Sequence, residues 1–289
     1  MYITTQNHSG TTPGPGRDSL RPDCSNCFAL CCTAFGFARS ADFAIDKPAA
    51  TPCPNLDQDS SCTIHDRLRP RGFRGCTVFD CFGAGQAVSQ QLFAGISWRD
   101  APDSRQEMFA AFKVMRQLHE MLWHLAEAQE KTFDADTARE AKELRTVIGD
   151  LTRGPLPGLL ACDLESLHSA VRTMLVAVSE EVRAGYFAAG TDQLDAALHS
   201  GTDLAGVNLR ARKLCGADLR GACLIAADLR GSDLAGADLL GADLRDARLD
   251  GADLTAALFL TQPQLNSARG SSTTLVPPGL SAPPHWQDG

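Results

Sequence analysis

Between residues 102 and 200, hydrophobic side chains recur at steps of three and four, the spacing of one face of an α-helix. The first apolar stripe consists of Met108, Phe112, Met115, Leu118, Leu122 and Leu125. Asp103 or Ser104 precedes it as a candidate N-cap residue. The pattern therefore predicts a long amphipathic helix that begins near residue 104.

Further helices are predicted in the same part of the chain. A polar helix is expected over 136–152, and a helix with a buried stripe over 163–183, ended by Gly185 and Gly190. A short amphipathic segment covers 192–199. Three or four helices of this kind are expected to pack as a small bundle.

A period of five residues begins at Thr202 and continues through twelve units to Thr261. The central residue is Leu in eleven units, from Leu204 to Leu254, and Phe259 in the last. A small residue, usually Ala, stands two positions earlier. A period of five fits neither a helix nor a strand, and it predicts a four-sided coil. Leu and the small residue then point inward, and neighbouring turns bury each other's Leu side chains.

These units resemble the pentapeptide repeat family, whose consensus is A(D/N)Lxx. The resemblance implies a right-handed quadrilateral β-helix of three turns. Arg212 replaces a small inward residue and Cys223 replaces Asp or Asn, so the first turn is expected to be irregular. Residues 262–269 are expected to form a helix that caps the open end of the coil. The Pro-rich tail that follows is expected to fold back or to be loose.

Cysteine is concentrated near the N-terminus, where eight of the eleven cysteines lie. They are Cys24, Cys27, Cys31, Cys32, Cys53, Cys62, Cys76 and Cys81. The N-terminus lacks the basic and apolar regions of a signal peptide, so a cytoplasmic location is expected. Dense cysteine in a reducing compartment more often binds metal than forms disulfides. Buried free thiols or adventitious disulfides are the alternative.

The eight cysteines are therefore candidate ligands of one or two metal sites. Zinc and an iron–sulfur cluster are equally compatible with thiolate ligands. The spacing Cys24-x2-Cys27-x3-Cys31-Cys32 resembles the bacterial CxxCxxxCC family of zinc- or iron-chelating proteins. Cys53 and Cys62 also match motifs of that family, whereas the placement of Cys76 and Cys81 departs from it.

Four other residues are less favoured as ligands. His65 could replace one sulfur, although a surface imidazole is the simpler interpretation. Cys162, Cys215 and Cys223 lie outside the cluster, and Cys215 is expected to face outward from the repeat. No Ser/His/Asp or paired-carboxylate arrangement has persuasive spacing, so no catalytic residue is nominated and an enzyme is the less favoured class.

The patterns together predict a multidomain α + β protein. It would comprise a cysteine-rich metal-binding N-terminal domain, a small helical bundle and a C-terminal three-turn pentapeptide-repeat β-helix. The predicted segments are 1–20, disordered; 21–95, cysteine-rich; 100–200, helical; 202–261, repeat; and 262–289, cap and tail.

Three functions are compatible with this organisation. The favoured one is a metal-binding interaction or adaptor module with a protein partner. The alternative is an iron–sulfur redox protein or a metalloenzyme that modifies a protein or peptide. A DNA-mimicking gyrase regulator is less favoured, because three turns at ~4.8 Å spacing rise only about 14 Å. The repeat also holds nine Asp against seven Lys and Arg, too few acidic charges for such a mimic.

Charge and hydropathy limit the remaining partners. The net charge of −8 does not favour nucleic acid as a partner. No apolar run approaches the ~18 residues that a membrane span needs, so no membrane association is expected.

Overall fold

The computed structural model describes residues 16–188 and 198–287. Its α-helices are α1 (Leu30–Ala34), α2 (Arg74–Thr77), α3 (Ala84–Gln86), α4 (Arg105–Lys131), α5 (Ala135–Arg153), α6 (Leu156–Leu160), α7 (Leu164–Ala188) and α8 (Gln262–Ser267). Single-turn 3₁₀ segments lie at Arg17–Leu20, Cys24–Asn26, His65–Arg67, Pro102–Ser104 and Pro284–Trp286, and a π-helical turn covers Ala87–Leu92.

The three long helices α4, α5 and α7 confirm the helical periodicity. The predicted stripe of α4 is buried, with Met108, Phe112 and Leu122 fully inaccessible. Asp134 caps α5 by accepting a hydrogen bond from the Thr137 amide at 2.7 Å. The predicted end of α7 is wrong, because the helix continues through Gly185 to Ala188. Most of the predicted segment 192–199 lies outside the described residues.

The start of the described chain is ordered against α4. The sequence predicts disorder through residue 20, whereas Arg17–Leu20 form a 3₁₀ turn and Leu20 is buried. Arg17 forms an ion pair with the buried Glu127 of α4. The rest of that predicted segment, 1–15, lies outside the described residues.

Residues 202–261, hereafter the repeat stack, turn at every fifth residue. Parallel bridges join residues twenty positions apart, from Asp203 with Cys223 to Asp238 with Leu258. The central Leu side chains are at most 5% exposed, which confirms their inward direction. The irregularity expected at Arg212 and Cys223 is wrong, because Cys223 pairs in register with Asp203 and Asp243 while Arg212 stays exposed.

The predicted fold class is wrong. In the described residues the regular elements are helices, and no strand, sheet or β-helix is present; the repeat stack pairs only through isolated bridges. The physical reason is the short side of each turn. The chain turns a corner at positive-φ positions such as Gly231 and Gly236, so no two successive residues extend a ladder. The protein is better described as mostly helical, with a coil of stacked turns at its C-terminal end.

The Asp residues of the repeat have a structural role that their outward direction does not reveal. Asp233 Oδ1 accepts a hydrogen bond from the Ala235 amide at 3.0 Å, and Asp253 Oδ1 accepts one from the Thr255 amide at 2.9 Å. Such Asx turns offer the backbone a partner where the chain bends. Where a unit carries Asp at this position, its side chain therefore fixes the turn, whereas the units with Lys213, Cys223 or Arg248 lack this contact.

The last unit departs from the pattern. Phe259, predicted to point into the stack, has a positive φ of 57° and packs with the helical core instead. Its amide donates to Glu127 Oε1 at 2.8 Å, and its ring meets His124 edge-on. Leu260 packs inside the stack in its place. The final unit thus joins the repeat stack to α4.

The open end of the stack is closed as predicted by a helix, α8. Thr261 and Gln264 form a reciprocal capping box at its start. The tail folds back, and Trp286 is buried at 2% exposure in the core of the stack. Arg269 and Leu275 add bridges to Arg248 and Asp253, so the tail extends the stack by part of a turn.

We expect Leu234→Ala to lower the free energy of unfolding by about 2–5 kcal/mol, because it empties a fully buried position. Asp233→Ala removes only the Asx turn at a half-buried position and should cost about 0.5–1.5 kcal/mol. Denaturant unfolding of the two variants measures both values. Equal losses would contradict the inward position of Leu234.

Candidate metal centre

Short elements joined by loops position the eight cysteines of the N-terminal segment. Cys24 starts a 3₁₀ turn that Asp23 caps through the Ser25 amide. Cys31 and Cys32 are neighbours in α1, and Cys76 lies in α2. The remaining four cysteines lie in loops or turns between these elements. Each of the eight is a free thiol.

Four thiols, Cys24, Cys27, Cys31 and Cys81, form what we call the first thiol group. A Cβ atom on Gly85 would lie 2.6 Å from Cys27 Sγ and 3.8 Å from Cys81 Sγ, so both sulfurs border the same glycine. Burial raises the pKa of Cys27 to about 11, and the charges of Cys81 and Cys24 add to the effect. Cys27, Cys31 and Cys81 all pack against the main hydrophobic core.

The other four thiols, Cys32, Cys53, Cys62 and Cys76, form the second thiol group. The Cys53 amide donates to the Cys32 carbonyl at 3.0 Å. Burial raises the pKa of Cys76 to about 12. The charges of Cys32, Cys53 and Cys62 contribute to this rise, in decreasing order of effect. Cys62 and Cys76 pack against a separate small core of Ile64, Leu68 and Phe73.

Cys31 and Cys32 mark the boundary between the two groups. Their sulfurs are 3.8 Å apart. The hydrogen bond that they share raises the pKa of Cys31, with burial as the second cause, and lowers the pKa of Cys32 to about 7. The positive charge of Lys47 also favours the Cys32 thiolate.

Lys47 is a buried cation beside the second thiol group. Its ammonium group donates to the carbonyls of Phe35, Pro48 and Thr51, the last at 2.9 Å. Burial lowers its pKa, and the charges of Cys53 and Cys32 oppose that shift. Sequence reasoning did not identify Lys47, because a single Lys before Pro48 carries no distinguishing spacing.

Backbone hydrogen bonds reach several of the sulfurs. Burial is the largest influence on these thiols and raises their pKa values. Against it, the backbone of Leu30 lowers the pKa of Cys27, and that of Ile64 lowers the pKa of Cys62. Gly83 and Gly85 act in the same way on Cys81. Hydrogen bonds to sulfur stabilise thiolates and are a common feature around metal-binding cysteines.

The donor set fits a thiolate-binding metal, although the thiols are not gathered into a finished site. Across 16–188 and 198–287, no three or more His, Cys, Asp or Glu side chains form a group that could hold an ion as they stand. By their neighbours we assign the eight thiols to two sets of four, the number that zinc and iron–sulfur clusters take. Cys24 acts on Cys27 and Cys81 of its own set and also interacts with Cys32 of the other. Binding would require the thiols of a group to turn toward a common point.

The cysteines outside the cluster occupy different surroundings. Cys162 and Cys223 are partly exposed. The prediction that Cys215 faces solvent is wrong, because its side chain is 7% exposed beside Tyr186 of α7. The end of α7 covers this face of the repeat stack. Sequence periodicity within the repeat cannot reveal a helix packed on its outside.

The segment that carries the second thiol group also binds the cap of the repeat stack. Arg74 of α2 pairs with Asp246 at 2.9 Å and donates to the Ser267 carbonyl at 3.0 Å. Asn266 of α8 donates to the Thr77 carbonyl at 2.8 Å. The helix that carries Cys76 therefore contacts the end of the stack directly.

A buried carboxyl lies where α7 meets the repeat stack. Asp238 is inaccessible to solvent, and burial raises its pKa to about 6. Arg220 lies 3.5 Å away and partly opposes this shift. Ser179 and Arg183 of α7 face the same cluster.

Stability should therefore fall as pH rises from 4 to 6, because the unfolded chain ionises Asp238 first while the folded chain resists its charge. The loss is at most about 3 kcal/mol at 1.36 kcal/mol per pKa unit. Below pH 4 the penalty is absent, and above pH 6 it is constant. The difference in melting temperature between the protein and Asp238→Asn across this range isolates the contribution. A pH-independent difference would contradict the buried, ionisable state of Asp238.

Comparison with known proteins agrees with the repeat. The profile of the pentapeptide repeats family matches eight copies within 200–231 and 222–259. The solved structures include the pentapeptide repeat protein Rfr23 from the cyanobacterium Cyanothece 51142, at 30% identity and a TM-score of 0.21. That match covers 26% of this chain, and the chain spans about half the length of Rfr23, 54%. The chain therefore contains pentapeptide repeats within residues 200–259.

A second comparison covers nearly the whole chain. The uncharacterized protein YybG of Bacillus subtilis (strain 168) is 50% identical over 272 residues, which cover 93% of this chain and 95% of YybG. The chain therefore belongs to the YybG family. Among the helices within 16–188 and 198–287, none has both the length and the apolar character to cross a membrane.

Proposed function

We propose that the protein is a metal-binding pentapeptide repeat protein that serves as an interaction module. The cysteine-rich segment binds zinc or an iron–sulfur cluster, and the repeat stack presents a surface to a protein partner. The observation that carries the metal proposal is the concentration of eight free thiols in one segment, where Cys27 and Cys81 border the same glycine, Gly85, and the sulfurs of Cys31 and Cys32 are 3.8 Å apart. Buried free cysteines serving only as small apolar residues would have no reason to gather in this way.

The covered face of the repeat stack supports an interaction role. Arg183 of α7 donates to the Gly216 carbonyl at 2.9 Å and pairs with Asp218 at 3.5 Å. The stack thus already binds one helix of its own chain through a flat face. Elsewhere its charges pair within a unit, as Arg230 does with Asp228 at 2.5 Å. Because the charges of each pair cancel locally, the surface of the stack is better suited to binding a protein than to binding a polyanion or a polycation.

Metal content of the anaerobically purified full chain tests the first part of the proposal. At least one zinc ion, or one iron–sulfur cluster with absorbance near 400 nm, is expected per chain. The variant Cys162→Ser serves as the matched control, because it removes a thiol outside both groups. Metal content below one per chain for the wild-type protein would refute metal binding.

Crosslinking of the full chain in cells tests the second part. The double variant Asp228→Ala/Arg230→Ala alters the repeat surface, and Asp136→Ala/Arg139→Ala removes a comparable exposed ion pair on α5. We expect crosslinked protein bands to be lost in the first double variant and kept in the second. The same crosslinked bands in both double variants would argue against the repeat surface around Asp228 and Arg230 as the binding surface.

A further inference from the structure

We infer that the cysteine-rich segment holds two separate four-thiolate metal sites rather than one, and that the adjacent residues Cys31 and Cys32 serve different sites. The first site consists of Cys24, Cys27, Cys31 and Cys81, and the second of Cys32, Cys53, Cys62 and Cys76. This inference rests on the proposed metal binding and adds the number of centres and the ligands of each. The ligand class is a thiolate-preferring centre, zinc or an iron–sulfur cluster.

Packing separates five of the eight thiols independently of charge. Cys27, Cys31 and Cys81 line the main core, which continues into α4. Cys62 and Cys76 line the small core of Ile64, Leu68 and Phe73. A single site that used ligands of both sets would have to join the two cores, whereas two sites allow each core to shield its own sulfurs.

The geometry of α1 explains how neighbours in sequence reach different sites. Successive side chains of an α-helix point about 100° apart, since 3.6 residues complete a turn. Cys31 therefore turns toward the main core, and Cys32 turns toward Lys47 and the loop at Cys53. Their sulfurs stay close, at 3.8 Å, where the two sites adjoin.

The second site has a built-in positive charge. The Lys47 ammonium interacts most strongly with Cys53 and Cys32 of the second group, then with Cys31 of the first group, and then with Cys76. Four thiolates around a divalent ion leave an excess of two negative charges, which a buried ammonium partly offsets. Binding forms four metal–sulfur bonds at each site and releases the thiol protons to solvent.

Paired substitutions in the full chain test the assignment, with metal measured by elemental analysis and native mass spectrometry. Cys81→Ser should remove the metal of the first site only, and Cys76→Ser that of the second only, so each keeps about half. Cys31→Ser combined with Cys81→Ser should lose no more than either alone. Cys31→Ser combined with Cys76→Ser should lose all metal. Cys32→Ser combined with Cys76→Ser should lose no more metal than either alone, and Cys32→Ser combined with Cys81→Ser should lose all metal.

A substitution that keeps all eight thiols provides a second test. Gly85→Ala places a Cβ atom 2.6 Å from Cys27 Sγ, so it should weaken the first site alone. Gly158→Ala is its control, because nothing lies within 4 Å of the added atom. Retained helical circular dichroism from α4, α5 and α7 shows that a variant is folded.

These experiments distinguish failure of the two-site assignment from failure of metal binding itself. A wild-type chain without metal would overturn metal binding itself. A chain that holds metal but loses all of it on any single substitution would overturn only the two-site assignment. Loss of the same metal from Cys31→Ser and Cys32→Ser would also overturn it.

Discussion

On the proposed metal binding, a chelator is expected to unfold residues 21–95 while the repeat stack keeps its structure. The helices in this segment are only three to six residues long, and its separate apolar core is small. Metal-binding free energy in such segments becomes folding free energy, of order 10 kcal/mol. Limited proteolysis before and after chelation, read by mass spectrometry, should show new cleavage confined to this segment.

The repeat stack provides the internal control for this experiment. Its core lies within residues 198–286 and uses none of the eight cysteines. Chelation should therefore leave fragments from this region intact. Identical cleavage with and without chelator would contradict a structural role for the metal. Cleavage throughout the chain after chelation would show that the folding of the repeat stack also depends on residues 21–95.

Helix positions could be predicted from the sequence because apolar spacing in α4 and α7 is set by local chain geometry. The end of α7 could not be predicted from the sequence. Gly185 indicates a helix end, yet the helix continues to Ala188, because Tyr186 packs against Gly236 of the repeat stack. Tertiary contact outweighs the roughly 1 kcal/mol that Gly costs in a helix.

The repeat shows the same division between local and tertiary information. The inward Leu positions follow from the period of five, and the structure confirms them. The assumption that stacked turns make a β-sheet was wrong, because each turn contributes single bridges. The outward turn of Phe259 depends on Glu127 and His124, which lie more than 130 residues earlier in the chain.

For the candidate site, the sequence indicates the candidate ligands but not which of them lie close together. All eight cysteines could be named from composition and spacing. Their division could not, because Cys81 joins Cys27 across the turn at Gly85 while Cys32 joins Cys53. The domain boundaries and the metal remain predictions.

Trp286→Ala should lower the free energy of unfolding of the repeat stack by about 3–5 kcal/mol, the range for a buried Trp. The indole is 2% exposed, packs with Leu265 in the core of the stack, and donates from Nε1 to the Ala268 carbonyl at 3.1 Å. Its loss would open the end that α8 and the tail close, and exposed ends destabilise repeat stacks. Denaturant unfolding measures the loss.

Three further variants separate the packing of the indole from a general effect of substitution. Trp286→Phe keeps most of the apolar volume and should lose much less stability. Gly270→Ala would place a Cβ atom 2.7 Å from the ring and should also destabilise the cap, whereas Gly185→Ala meets nothing within 4 Å and should not. If Trp286→Ala unfolds at the same denaturant concentration as the wild-type protein, the tail is not the plug of the stack, and α8 alone closes it.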